Sequence, residues 1–369
     1  MGEHESFLQA SGLLLNGILP NETSHVTRAL DAERWSKVEG RDDEQIACIQ
    51  PNQQSEECWN AVSNYVQTLI KKCFSCEVAM LSLHLVFTFG SVPLKTYLPV
   101  ADIDLVVCSK TEDMKDTWAS VVLKVLENEK RHIKNAKFRV KEVKYIDAKV
   151  RVIKCLVENI VVDISFNQIG WPFISQNHLF KRSIILIKAW CYYERRILGA
   201  CFGLISTYTL EILVLYIFHV FNNSFAGSFE VLYRFLEVFS NFDWKNFCVS
   251  LWGPVPINSL PDTIAELPQK NGGKLLFDNA FLETFSIAYA VSLSANFYMI
   301  HSAFAFGAKK LANLLDCPKE NLIAEVDRFF LNTWEYIEVA IDPMHLSLKF
   351  TARQPMPFML TQEMLILCR

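Results

Sequence analysis

The sequence lacks a strong excess of charge of either sign, because 36 Lys and Arg residues nearly balance 40 Asp and Glu residues and the formal net charge is −4. This balance excludes a protein coated in basic residues. Any contact with nucleic acid must therefore come from a local basic patch or cleft. About half of the residues are apolar (51%), which predicts a large buried core rather than disorder.

We also expect no secretory signal, no disulfide framework and no membrane span. The segment MGEHESFLQASGLLLNGILP is acidic where a secretory signal needs positive charge, and the 11 Cys residues are scattered and odd in number. Cys73 and Cys76 form one C-x-x-C without a second pair, so two ordinary thiols near a helix end are favoured over half a zinc site or a redox pair. The apolar stretch 204–221 contains Glu211, which favours a buried helix over a membrane span. We expect an intracellular protein, nuclear or cytoplasmic, that makes no membrane contact.

The chain changes character near its middle. Residues 1–30 mix Gly, Ser, Asn and Pro without a sustained period, which predicts a loose arm, and 31–54 are expected to form a helical segment that packs on the second domain. Strand and helix patterns fill 55–175, whereas 176–345 hold long helical periods, and 346–369 are expected to be a tail. The predicted fold class is α+β, with a mixed sheet in the first domain and a mostly helical second domain.

Periodicity and turn residues predict the individual elements. Helices are predicted over 56–74 (with Ser55 as N-cap), 112–130, 179–197, 204–221, 229–241, 276–292, 296–315 and 319–338. Strands are predicted over 83–89, 103–107, 138–146, 150–157 and 159–166, with a hairpin turn at Glu158-Asn159. The Pro- and Gly-rich residues 253–274 are expected to form a long surface loop.

The segment FTFGSVPLKTYLPVADIDLVV (87–107) is the most informative one. Side chains alternate faces along a strand, so Asp102 and Asp104 project from the same side. Two crowded carboxylates repel unless a cation lies between them, which indicates a divalent-metal site, and Asp163 in the apolar run IVVDISF supplies a third acid on a strand that can lie beside the first. A third carboxylate would complete a two-magnesium site. The alternatives are a solvated strand end for the D-x-D pair and a buried acid paired with a basic residue for Asp163.

Gly90 and Ser91 follow a strand directly. A residue without a Cβ lets backbone N–H groups approach a phosphate, and the Ser91 hydroxyl can donate to it, so the pair can hold the triphosphate tail of a nucleotide. Taken alone, a Gly-Ser pair more commonly marks a turn. Its order relative to the D-x-D pair and the later strand Asp favours the phosphate site.

These residues resemble the terminal nucleotidyltransferases of the DNA polymerase β superfamily, in particular the plant-type poly(A)/poly(U) polymerase-like branch. The resemblance covers about residues 32–310. It rests on GSVPLKTYLPVADIDLVV, VVDISFN, RSIILIKAWCYYERRILGACFGLISTYTLEILVLYIF and NFYMIHSAFAFGAKKL. It implies a polymerase-β-like catalytic domain with a mixed sheet and a mostly helical PAP/OAS1-like substrate-binding domain.

The resemblance also implies roles for individual residues. It assigns Asp102, Asp104 and Asp163 to Mg²⁺ (or Mn²⁺), Ser91 to the terminal phosphates, Lys188 to the triphosphate, Thr207 to the phosphates, Tyr208 to stacking on the base, and Asn167 or Asn177 to the ribose. For Lys188 the sequence offers independent support, because the basic run 181–196 suits phosphate or RNA, although ordinary solvated helix charges have equal weight. Lys188 lies within an apolar run, so we expect it near the buried side with a specific partner.

The implied activity is template-independent addition of AMP or UMP from a nucleoside triphosphate to an RNA 3′ end by a two-metal mechanism, with a possible protein partner for RNA delivery. Three features depart from the family: extra apolar residues at 78–86, a shortened apolar segment at 285–295, and Tyr192 in place of a second helix lysine. They motivate an alternative, a catalytically weak or inactive member that acts as an RNA- or protein-binding scaffold. Transfer to a small molecule is a third possibility.

Overall fold

The computed structural model describes residues 32–74, 85–99, 101–109, 114–131, 137–147, 151–166, 178–199, 204–250, 253–256, 280–282, 285–288 and 295–341. Several predictions lie outside the described residues. These are the arm 1–30, the tail 346–369, the roles of Asn167 and Asn177, the Cys73–Cys76 motif as a whole, the extra apolar residues up to 84, and the loop 253–274 beyond residue 256.

The first half of the molecule contains a five-stranded sheet. Its elements are α1 Ala32–Ile49, α2 Gln53–Phe74, β1 Leu85–Phe89, the short α3 Ser91–Leu94, β2 Ile103–Cys108, α4 Met114–Arg131, β3 Val140–Ile146, β4 Val152–Val157 and β5 Ile160–Phe166. The strand order is β1-β2-β5-β4-β3. The β2–β5 pair is parallel and the other neighbours are antiparallel, so the predicted mixed sheet is confirmed.

One face of this sheet is buried beneath α2 and α4, which contact β1 to β4. On β2, Ile103, Leu105 and Val107 are completely buried against these helices, because every second side chain of a strand points to the same face. Asp104 therefore points to the opposite face, as the alternation predicts. The same core gathers Trp118, which stacks on Phe166 with ring centroids 5.6 Å apart.

A two-residue turn connects β4 and β5. Glu158 and Asn159 have φ angles of 48° and 68°, and left-handed conformations at both central positions are typical of the tight hairpin turns that match strand twist. The predicted hairpin is confirmed. Its register pairs Val157 with Ile160 and, farther from the turn, Lys154 with Asp163.

The second half is mostly helical. Its elements are α5 His178–Ala189, a π-helical turn Trp190–Glu194, α6 Thr207–Val220, α7 Ser228–Asn241, β6 Phe247–Ser250, β7 Gly253–Pro256, β8 Ala280–Leu282, β9 Phe285–Ala288, α8 Ala295–Asp316, α9 Leu322–Phe329 and α10 Leu331–Ile341. Large aromatic side chains from α7 and α8 fill its core. Phe235 and Phe304, for example, are at most 1% exposed and meet edge to face at 5.3 Å.

Helix α1 precedes the sheet in sequence but packs on the helices of the second half, where it contacts α5, α7, α9 and α10. Its Glu39 carboxylate accepts hydrogen bonds from the backbone N–H groups of Phe229 and Glu230 at 3.4 and 3.2 Å. A carboxylate at a helix start satisfies otherwise unpaired N–H groups and complements the helix dipole. Gly227, the N-cap residue of α7, has no side chain that could cap the helix, and Glu39 of α1 caps it instead.

Two predicted elements are corrected in the region before α8. The prediction of a helix over 276–292 is wrong for the residues of this range that the structure describes, because they form β8 and β9. These two strands join β6 and β7 in a four-stranded sheet of order β7-β6-β9-β8. The segment FLETFSIA mixes β-branched and aromatic residues with polar ones, and pairing with β6 outweighs its weak helical period. Residues 253–256, predicted as the start of a loop, are the strand that pairs with β6.

Two helix boundaries also differ from the predictions. Helix α2 begins at Gln53, and its cap is Asn52: the Asn52 Oδ1 accepts the Ser55 N–H at 2.8 Å while the Ser55 Oγ accepts the Asn52 N–H at 3.0 Å. Ser55 is therefore the third helical residue of a reciprocal capping arrangement, not the N-cap. The single helix predicted over 319–338 is divided at Phe330 into α9 and α10.

Within the described part of the chain, no helix is both long enough and apolar enough to cross a membrane. The described cysteine side chains are free thiols, namely Cys48, Cys58, Cys108, Cys155, Cys191 and Cys317. Burial raises the pKa of Cys155 to about 12, which keeps that thiol protonated and unreactive.

Candidate active site

One row of paired residues crosses the sheet perpendicular to its strands. Phe89 on β1 pairs with Asp104 on β2, Asp104 pairs with Asp163 on β5, Asp163 pairs with Lys154 on β4, and Lys154 pairs with Lys144 on β3. Directly paired residues point to the same face of a sheet, so this row, called the carboxylate row below, lies on the face opposite α2 and α4. The parallel β2–β5 pairing thus brings together two acids that are far apart in sequence.

Asp102 lies just before β2 and adds a third carboxylate on this face. Burial is the largest cause that raises the pKa of Asp104 to about 8, and the negative charges of Asp102 and Asp163 raise it further. The nearby charges of Lys188 and Glu211, from the helical half, act on the same carboxyl in opposite directions. The three predicted acids are therefore close enough to repel one another, and the helical half faces them.

A lysine that the sequence analysis did not single out lies among these acids. The Lys154 Nζ is 2.9 Å from the Asp163 Oδ2 and 3.9 Å from the Asp102 Oδ2. Among the described residues, no three His, Cys, Asp or Glu side chains are arranged so that they could hold a metal ion as they stand. The donor chemistry nevertheless fits Mg²⁺, which prefers carboxylate oxygens, and a cation would relieve the repulsion from Asp102 and Asp163 that adds to burial in raising the Asp104 pKa. Lys154 provides one positive charge beside the Asp163 and Asp102 carboxylates.

Gly90 lies directly against one of the carboxylates. Its backbone has φ 75° and ψ −146°, and a Cβ added to it would be 2.5 Å from the Asp104 Oδ2. Only glycine fits this backbone conformation and this distance without displacement. Ser91 follows as the first residue of α3 and is 9% exposed. The Thr96 N–H donates to the Ser91 carbonyl at 3.0 Å and closes the turn.

Lys188 is almost completely buried, with 3% of its side chain exposed. Its ammonium group donates to the Glu211 Oε1 at 2.8 Å and to the Thr96 carbonyl at 3.1 Å. The expectation of a buried lysine with a specific partner is confirmed, and the partners are Glu211 and Thr96. Neither partner was singled out as a site residue from the sequence.

Thr207 and Tyr208 lie in the first turn of α6, where Thr207 is exposed and Tyr208 is partly buried. Ser206 caps this helix by accepting the Thr209 N–H at 3.0 Å. Residues three and four apart share a helix face, so Thr207 and Tyr208 lie on the side of α6 that carries Glu211. The described nucleotide-binding candidates therefore surround one junction between the sheet and the helical half.

Two domain families match this sequence. The family model of the PAP/OAS1 substrate-binding domain matches residues 174–295 and 289–334. The family model described as "Poly(A) RNA polymerase, mitochondrial-like, central palm domain" matches residues 43–171. No curated protein matches the sequence.

Solved structures share the fold at low sequence identity. The polymerase core of TRAMP, an RNA surveillance complex, is 18% identical with a TM-score of 0.59, and the match covers 84% of this chain and 98% of that one. The Cid1 poly(U) polymerase is 16% identical with a TM-score of 0.56, covering 75% and 94% of the two chains. A cytoplasmic RNA terminal U-transferase is 16% identical with a TM-score of 0.57, covering 79% and 98%. These likenesses confirm the α+β fold class, with its sheet domain followed by a mostly helical domain.

The carboxylate row, the palm and substrate-binding family models and the shared fold agree with one another. The chain belongs to the poly(A) polymerase-like nucleotidyltransferases that combine this palm domain with a PAP/OAS1 substrate-binding domain.

Proposed function

We propose that this chain transfers a nucleoside monophosphate, AMP or UMP, from a nucleoside triphosphate to the 3′ hydroxyl of an RNA without a template. The observation that carries the proposal is the register of β2 and β5, which pairs Asp104 with Asp163 on the face that the helical half approaches. Asp102 joins them from the loop before β2. Three acids clustered beside a Gly-Ser turn suit phosphoryl transfer, in which positioning and charge stabilisation supply most of the catalysis.

In the proposed reaction, the RNA 3′ oxygen forms a bond to the α-phosphorus while the bond between that phosphorus and the oxygen bridging to the β-phosphorus breaks. Pyrophosphate leaves with the electron pair of the broken bond. A carboxylate of the triad accepts the proton of the 3′ hydroxyl. Ser91 and the backbone at Gly90 bind the terminal phosphates, and the first turn of α6 orients the nucleotide through Thr207 and Tyr208.

Asp102, Asp104 and Asp163 would hold magnesium, or manganese in its place, which supplies charge neutralisation at the triphosphate and activation of the acceptor hydroxyl. Structures of Cid1 with magnesium-bound GTP and 3′-dATP support this choice of metal. Lys154 would compete with such a cation, because its ammonium group lies 2.9 Å from an Asp163 oxygen and 3.9 Å from an Asp102 oxygen.

The test is a tailing assay with each of the four ribonucleoside triphosphates, a short RNA, and Mg²⁺ or Mn²⁺. We expect extension of the RNA, its loss in Asp102→Ala, and no change in the matched control Asp116→Ala, whose acid is exposed on α4 away from the row. Circular dichroism verifies that both variants fold. Absence of label transfer from all four triphosphates would refute the proposal.

The same assay distinguishes the alternatives. Label transfer to small hydroxyl compounds but not to RNA would identify a small-molecule transferase. A separate nucleotide titration tests the scaffold: metal-dependent triphosphate binding at micromolar affinity would count against it, whereas absence of both binding and transfer would favour an inactive member that acts as a scaffold. The similarity to the polymerase core of TRAMP supports adding candidate RNA-delivery proteins to the assay, since that core is part of a complex.

A further inference from the structure

The ammonium group of Lys188 is paired with a carboxylate of the helical half. Its Nζ is 2.8 Å from the Glu211 Oε1, and the two side chains are 3% and 12% exposed. It also donates to the carbonyl of the completely buried Thr96 at 3.1 Å. A buried charge is tolerated when it is paired and hydrogen-bonded, and the Lys188 ammonium meets both conditions through these two contacts.

This ion pair lies beside the proposed phosphate site. The Thr96 N–H donates to the Ser91 carbonyl at 3.0 Å, so the residue that accepts from Lys188 also closes the turn at Ser91. The charges of the pair reach the Asp104 carboxyl, whose pKa, raised mainly by burial, is lowered by the lysine and raised by Glu211. An anion bound at the turn is therefore within electrostatic reach of the Lys188 ammonium.

A phosphate oxygen can reach this ammonium by taking the place of Glu211. Lys188 has three N–H donors, and its two short hydrogen bonds go to Glu211 and to Thr96. The Thr96 carbonyl belongs to the backbone and stays in place, whereas the Glu211 carboxylate ends a flexible side chain in the second turn of α6. Since Lys188 is only 3% exposed, an anion replaces the carboxylate rather than adding beside it.

The carboxylate row has the complementary arrangement. The Lys154 Nζ is 2.9 Å from the Asp163 Oδ2, so a cation of the chain itself is paired with a proposed metal ligand. Charges of both signs are thus neutralised within the protein, one beside the proposed metal site and one beside the proposed phosphate site. Such internal pairs lower the affinity for the external ion that each of them resembles.

We propose that Glu211 is an internal competitor for the phosphate groups of the nucleotide. Its carboxylate neutralises Lys188 before the nucleotide binds, a phosphate oxygen replaces it in the complex, and it returns to Lys188 when pyrophosphate leaves. Glu211 thereby limits the affinity of the site for polyphosphate anions and favours release of the product. The inference rests on the proposed function, because it concerns the same nucleotide site.

The test is the affinity for inorganic pyrophosphate, measured by calorimetric titration in the presence of Mg²⁺. Glu211→Gln keeps an oxygen acceptor for Lys188 but removes the competing charge, so pyrophosphate should bind about 5- to 30-fold more tightly. Glu211→Asp keeps the charge, and its affinity should stay within about threefold of the wild type. A general loss of stability does not raise an affinity, so the sign of the change excludes that explanation.

A double variant tests whether the competition acts through Lys188. Lys188→Met should weaken pyrophosphate binding by at least about tenfold, and in that background Glu211→Gln should change the affinity by less than about threefold. Equal tightening with and without Lys188 would show that Glu211 only repels the anion through space, and it would overturn the proposal. If Lys188→Met does not fold, Lys188→Gln provides the neutral side chain for the same comparison.

The matched control is Glu237→Gln on α7. Glu237 forms an ion pair of similar length, 2.9 Å, with Arg234, and the two side chains are 26% and 12% exposed. The Arg234 guanidinium lies over the ring of Phe221, which follows the far end of α6. Phe221 is about 15 Å along the helix axis from Glu211 at 1.5 Å per residue. Glu237→Gln therefore loses a comparable pair and should leave the pyrophosphate affinity unchanged.

Unchanged or weaker pyrophosphate binding in Glu211→Gln would overturn the proposal, and the proposed function would still stand if the wild type transfers label to RNA. Tighter pyrophosphate binding in a chain that transfers no label would support the competition and refute the transfer activity. The expected result is tighter binding in Glu211→Gln that depends on Lys188, together with an unchanged control.

Discussion

Replacing Gly90 by Ala tests how closely the Gly-Ser turn is fitted to the carboxylate row. The added Cβ would be 2.5 Å from the Asp104 Oδ2 and 3.3 Å from its Cγ, so the carboxylate must move. The backbone at Gly90 has φ 75° and ψ −146°, a region that residues with a Cβ rarely adopt. The substitution therefore strains the turn and displaces a proposed metal ligand at the same time.

The two effects differ in magnitude. Forcing a residue with a Cβ into a sparsely populated backbone region costs about 1–3 kcal/mol, so the free energy of unfolding should fall by about that amount. A displacement of about 1 Å at a reacting group can reduce the rate about 100-fold. The loss of transfer activity should therefore exceed what the loss of folded protein explains.

The assay combines urea unfolding with single-turnover label transfer at a temperature where the variant remains folded. The matched control is Gly40→Ala, because Gly40 lies within α1 and a Cβ there would meet nothing within 4 Å. Ala stabilises a helix interior by about 0.5–1 kcal/mol relative to Gly, so Gly40→Ala should gain stability and keep its activity. Full activity in Gly90→Ala would refute the proposed fit between Gly90 and Asp104.

Three further predictions concern other contacts. Burial raises the Asp42 pKa from 3.8 to about 8, so the folded state loses stability as the pH rises between these two values. Asp42→Asn removes this titration, and its melting temperature should exceed that of the wild type by an amount that grows with pH across the same range. Glu194 caps the start of α10, where its carboxylate accepts the Thr333 N–H at 2.7 Å. In urea titrations, Glu194→Ala should therefore lower the free energy of unfolding by about 1 kcal/mol. An unchanged free energy would show that Glu194 does not stabilise this helix start. Lys154→Met removes a cation 2.9 Å from the Asp163 carboxylate. Because such partly exposed pairs contribute about 0.2–1 kcal/mol, the Mg²⁺ concentration for half-maximal transfer should fall by about 1.4- to fivefold, and a higher requirement would contradict competition between Lys154 and the metal.

Much of the sheet could be predicted because its signals are local. Alternation continued one residue before β2 places Asp102 and Asp104 on one face, and Glu158-Asn159 marks a two-residue hairpin. Such a turn also fixes the register, so Lys154 opposite Asp163 followed from the predicted hairpin. The position of Lys154 beside the acids is therefore a local property of the sequence.

The Lys188–Glu211 pair also leaves a signal in the sequence. Each residue is a single charge within an apolar helical run, and a buried charge needs a partner. Pairing the two would have connected α5 with α6. The third member, Thr96, could not have been found, because its buried carbonyl is available to Lys188 only through the packing of the two halves.

The predicted helix over 276–292 failed for a different reason. Residues 285–288 form β9, which pairs with β6 and with β8. Short apolar runs are compatible with either a helix or a strand, and partners from elsewhere in the chain decide between them. Tertiary context of this kind cannot be read from the segment itself.

The central claim is that Asp102, Asp104 and Asp163 form a metal-dependent triphosphate site. It is tested most directly by calorimetric titration of a non-hydrolysable nucleoside triphosphate with and without Mn²⁺, in the wild type and in Asp163→Asn. We expect affinity of about 1–100 μM that requires the metal in the wild type, and at least about tenfold weaker binding in the variant. Binding that is independent of metal, or equal in the two proteins, would contradict the claim.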